Sequence, residues 1–124
     1  MRETQIHQIK ASLADFADKD FHSQTWAAKD GPLVSSPMED FSRLYDDSGL
    51  GDALDSGETV FSPQLDEQLT LLEQLLGPLV ENEIPISDLI EGQPMKQVRE
   101  LSARILFGIV RHQADGHGKH DVGD

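Results

Sequence analysis

The sequence predicts an all-α protein: a single compact bundle of about five helices with a flexible C-terminal tail. Three observations predict it. Apolar residues recur at spacings of three and four through most of the chain, the period of a helix with one buried stripe. Twice, at Ser36-Pro37 and Ser62-Pro63, such a run opens on a serine cap followed by proline at the first helical position. Alternating strand patterns and hairpin signals are missing, with Thr59-Val60-Phe61 the one brief candidate strand. A chain of 124 residues holds one modest core, so residues 1–114 are read as one domain and residues 115–124 as the tail.

The first helix is expected over residues 4–18, where Ile6, Ile9, Leu13 and Phe16 share a face. Asp20 is a candidate cap for a following turn through Phe21 and Trp26, and Lys29-Asp30-Gly31-Pro32 reads as a loop. Trp26 suits either a core or an interface and is read as core. Ser36, Pro37 and Glu39 form the start of a helix over residues 37–47, with Met38, Phe41, Leu44 and Tyr45 on its apolar face. Leu50, Ala53 and Leu54 suggest one short helix closed by Gly57. From Ser62 the leucines at 65, 69, 72, 75 and 76 continue until Gly77-Pro78 breaks the run; Leu71, Leu79 and Val80 widen the face, which predicts a central helix covered on more than one side. A turn over residues 88–90 precedes the longest helix, Pro94 to about Gln113, whose apolar face holds Met95, Val98, Leu101, Ile105, Leu106, Ile109 and Val110. The glycine-rich end beyond Ala114 has no period.

Composition narrows the function. The chain has no cysteine, so disulfides, thiolate metal sites and cysteine nucleophiles are excluded. The start, Met1 to Gln5, lacks the apolar core of a signal peptide, and no run approaches the ~18 apolar residues of a membrane span, so a cytoplasmic protein is expected. The net charge of -13 argues against nucleic acid and anionic membranes as partners and favours a cationic one.

That charge is unevenly placed. Residues 1–43 carry five basic and seven acidic side chains and residues 96–124 carry five and four. Residues 44–95 carry twelve acidic side chains and no Lys or Arg. The residues expected to meet a partner are Asp46, Asp47, Asp52, Asp55, Glu58, Asp66 and Glu67, since a concentrated acidic surface speeds association with a basic protein. Against this stands the reading in which the acids only coat solvated faces, some of them neutralised by Arg99, Arg104 and Arg111.

Catalytic signatures are lacking. Asp46-Asp47-Ser48-Gly49 with Asp52 and Asp55 does not have the spacing of a calcium-binding EF-hand loop. His117, His120 and Asp121 are close in sequence but sit in the glycine-rich tail, which offers no rigid metal scaffold. Phosphate loops, nucleophile elbows and HExxH are absent from the sequence. No enzyme activity, cofactor or metal is expected.

From Phe16 to Leu54 the chain reads Phe-Ala-Asp-Lys-Asp-Phe, a Trp, Gly-Pro, Ser-Ser-Pro-Met-Glu-Asp-Phe and Leu-Tyr-Asp-Asp-Ser-Gly-Leu. This third of the sequence resembles small acidic bacterial immunity proteins of polymorphic toxin and contact-dependent growth inhibition systems. The resemblance implies a helical protein that binds and silences a cognate toxin domain; it carries over no individual contact residue. The alternative, from a different class, is a small adaptor that holds a peptide or dimerises along a helical groove.

Overall fold

The computed structural model describes residues 2–26, 36–82 and 84–123, the last nine of them by their backbone alone. Seven α-helices follow in order: α1 (Glu3–Phe16), α2 (Lys19–Thr25), α3 (Pro37–Ser42), α4 (Leu50–Asp55), α5 (Pro63–Glu81), α6 (Ile86–Glu91) and α7 (Gln93–Gly123). A wider π-helical turn, Arg43–Asp47, continues α3. The described residues contain no strand.

The main packing forms a ring. α1 lies on α7, α7 on α5 and α5 on α3, and the π turn closes back onto α1. α2 and α6 touch each other and cover α1 and α7 respectively, while α4 packs on the π turn. The four sides enclose one apolar cluster that includes Ile9, Leu13, Leu44, Leu69, Leu72, Leu76, Val98, Ile105 and Ile109. These are positions at which the helical period and burial agree. Trp26 joins them, its indole Nε1–H donating to the buried Asp40 carboxylate at 2.6 Å, which ties α2 to α3.

Local chemistry fixes the helix starts. Ser36 Oγ accepts from the Glu39 amide and Ser62 Oγ from the Leu65 amide, both at 3.1 Å, so each serine–proline pair begins a helix as expected. The cap of α2 is Asp18, not Asp20: its Oδ1 takes the Asp20 and Phe21 amides at 3.0 and 3.2 Å. Asp20 falls inside the first turn, where its charge still favours the positive helix end.

Several expectations are corrected. α5 does not stop at Gly77-Pro78 but runs to Glu81, because Pro78 sits in the last turn, where one lost hydrogen bond is offset by Leu75, Leu76 and Leu79 staying on the core. Asn82 completes that end, its backbone and side-chain amides both reaching the Pro78 carbonyl, at 3.2 and 2.6 Å. α5 is covered by both α7 and α3, but Leu71, read as widening its apolar face, is 47% exposed. Phe41 is half-buried against the core edge, and Val110 and Phe107 of α7 face outward. Thr59-Val60-Phe61 forms no strand; its Val60 and Phe61 amides donate to Asp66. The backbone of α7 continues past Gln113 to Gly123. The Lys29–Pro32 loop, and the side chains of His117, His120 and Asp121 in the expected tail, lie outside the described residues.

Candidate functional site

The acidic middle of the chain is built around a tyrosine and a sharp reversal at Gly49. Tyr45, on the π turn, is buried and donates its hydroxyl to the Leu69 carbonyl of α5 at 2.8 Å. Burial above all, and then the nearby Glu73 carboxylate, hold that phenol well above its ordinary pKa, so it stays a neutral donor. The buried Ser48 hydroxyl donates to the Leu44 carbonyl and accepts the Leu50 amide at 3.2 Å. Gln5 of α1 donates to the Ser48 carbonyl at 3.1 Å. Gly49 turns the chain into α4 with φ of +80°, a conformation that side chains with a Cβ rarely adopt. α4 therefore starts at a fixed point beside α1 and α5.

This frame brings carboxylates from three elements together. Asp46 on the π turn, Asp55 on α4 and Glu73 on α5 are close enough for both aspartates to act on Glu73. Partial burial first, then Asp55, then Asp46, push the Glu73 carboxyl above the ordinary glutamate range. A second group lies one helix turn or more toward the start of α5, where Glu58, Asp66 and Glu67 line a shallow depression of about 320 Å³ with Leu54, Thr59 and Thr70.

The seven residues singled out in the sequence thus have different roles. Asp46 and Asp55 join the Glu73 group; Glu58 and Glu67 are exposed on the depression. Asp47 and Asp52 are exposed beside them on the π turn and α4. Asp66 is half-buried and works inside the fold, accepting the Val60 amide at 2.7 Å and the Phe61 amide at 3.0 Å. Glu73 was not singled out, although its place beside Leu69, Leu72 and Leu76 already put it on the flank of the buried stripe.

Among the described residues no arginine of α7 is ion-paired with this region, although Arg111 and Glu67 line one depression between α7 and α5. The described residues hold two ion pairs, Lys19–Glu91 at 2.9 Å and Arg43–Asp40 at 3.2 Å. Of the eleven described acids between 44 and 95, Glu91 alone is so paired. Arg99 instead donates to the Ile90 carbonyl at 3.0 Å, and Arg111 sits over the Phe107 ring at 5.8 Å. Among the described residues no three His, Asp or Glu side chains are grouped as a metal site, and no helix is long and apolar enough to cross a membrane.

No family model matches this chain, and neither a curated protein nor a solved structure matches it.

Proposed function

We propose that the chain is an immunity-type protein that binds and blocks a basic cognate toxin domain in the cytoplasm, using the carboxylates of the π turn, α4 and the first turns of α5. The observation that carries this reading is the lack of internal ion pairs: ten described acids of the middle segment have none, and two of them, Asp46 and Asp55, raise the charge cost of a third, Glu73. Like charges held together cost stability in the free protein. A cationic partner would turn that cost into binding free energy, as functional surfaces often do at the expense of the fold. The mechanism is stoichiometric blockade, with no chemical step on this chain.

The test is capture from the native host with the tagged protein, in parallel with a variant carrying Asp46→Lys, Asp47→Lys, Asp52→Lys and Asp55→Lys. The reading expects one dominant basic protein, encoded directly before this gene, that the variant fails to hold. Capture of an acidic partner, or equal capture by both baits, would leave the acidity as a solubility device and favour the adaptor reading.

A further inference from the structure

The ring of α1, α7, α5, α3 and the π turn closes without α2, which packs on α1 and α6. α2 has seven residues, too few for a helix to persist on its own propensity, so its place rests on what its side chains reach. At its start the Asp18 carboxylate caps it and Lys19 pairs with Glu91 of α6. At its end the Trp26 indole donates to Asp40 of α3, which Arg43 also reaches. Between these ends His22 is buried completely, with the Trp26 ring stacked on it and Phe16 of α1 edge-on.

An imidazole suits this site only while it is neutral. Protonation places a cation in a fully buried position, and among the described residues no carboxylate is ion-paired with it. Burial and Arg99 of α7 oppose the cation more strongly than the Asp15 backbone of α1 and the Asp18 carboxylate favour it. The other charged groups nearby are turned to other tasks. Asp40 is engaged by Trp26 and Arg43, and Glu91 by Lys19. The Asp15 carboxyl is itself pushed above the ordinary aspartate range by burial and then by Asp40, and Asp20 is exposed. The indole face attracts a cation, an effect smaller than the loss of hydration in a fully buried site.

We infer that α2 is an acid-released latch: with His22 neutral it stays closed over Phe16, and with His22 protonated it lifts off α1 and takes Trp26 away from Asp40 while the ring stays folded. The movement uncovers an aromatic patch, Phe16 and Trp26, whose rings meet edge to face at 6.2 Å in the closed form. This is the opening of one element, distinct from loss of the whole fold. His22 titrates near pH 6.5 when exposed and near 4 in the closed site, so the ratio of open to closed molecules should rise about 20-fold between pH 7 and pH 5.

Amide hydrogen exchange on the full chain, followed by NMR and corrected for the unfolded rate at each pH, tests it. The His22 and Trp26 amides donate to the Asp18 and His22 carbonyls, so they are freed when α2 opens. Their protection should fall about 20-fold from pH 7 to pH 5, and should lie below that of the Leu72 amide of α5 at every pH. His22→Phe keeps a ring against Trp26 without a titrating group and should remove the fall at the Trp26 amide. His22→Gln serves the same purpose if the phenylalanine variant does not fold. Protection equal to that of Leu72, meaning that α2 opens only with the whole fold, would overturn the inference. So would a pH dependence that persists when His22 is replaced.

Discussion

His22 is a buried imidazole stacked on Trp26 with ring centroids 4.0 Å apart and planes 10° apart. Phe16 and Phe21 meet it edge-on. Burial, and next the charge of Arg99, lower its pKa from 6.5 to about 4, against weaker opposing effects of the Asp15 backbone and the Asp18 carboxylate. The unfolded chain takes up a proton below pH 6.5, whereas the folded chain resists until about pH 4. Stability present above pH 6.5 is therefore lost as pH falls through that window, about 2 kcal/mol of it by pH 5. A thermal melt series from pH 7 to 5 should show Tm falling, with the slope flattened in His22→Phe; an equal slope in both proteins would show that His22 is not the titrating group. Glu73 behaves oppositely, because its raised carboxyl pKa means that ionisation works against the fold. Glu73→Gln should raise Tm at pH 7 by roughly 2–4 °C, the effect of relieving about 0.5 kcal/mol of like-charge contact, and the gain should shrink toward the pH at which free glutamate protonates. No gain at pH 7 would mean that the three carboxylates are not crowded.

At the scale of elements, the stripe of α5 carries the fold. Leu72 is fully buried in the central cluster, so Leu72→Ala should cost about 2–5 kcal/mol, read as a drop in denaturant midpoint. An unchanged midpoint would contradict its placement. This stripe, and those of α1 and α7, were legible from the helical period, and Ser36 and Ser62 announce α3 and α5 before any contact is known. What was not legible depends on contacts between distant segments. Pro78 breaks a helix by local rules, yet the leucines around it keep α5 intact to Glu81. Gly108 reads as a weak point in α7, but a Cβ there would come within 2.6 Å of Leu65 Cδ2, so the glycine marks a close approach of α5 and α7. The same holds for the site: charge counting located the acidic segment, but the Glu73 group joins three elements, and the Tyr45 hydrogen bond to the Leu69 carbonyl ties two of them, the π turn and α5. Asp66 was read as surface because its capture of the Val60 and Phe61 amides is invisible without the turn.

The whole molecule is an asymmetric charge distribution on a helical ring, nearly balanced at α1 and α7 and strongly negative around α4 and α5. Such a field acts at long range on the rate of encounter more than on the lifetime of a complex. The central claim is that this face receives a basic protein, and the most direct measurement is the association rate of the captured partner by stopped flow as ionic strength rises. As the screening length falls from about 10 Å at 0.1 M to about 3 Å at 1 M salt, the wild-type rate should drop at least about tenfold. It should approach the rate of the Asp46, Asp47, Asp52 and Asp55 reversal variant, which should be slow at every salt concentration. An association rate that does not change with salt, and that the reversal leaves untouched, would contradict the account.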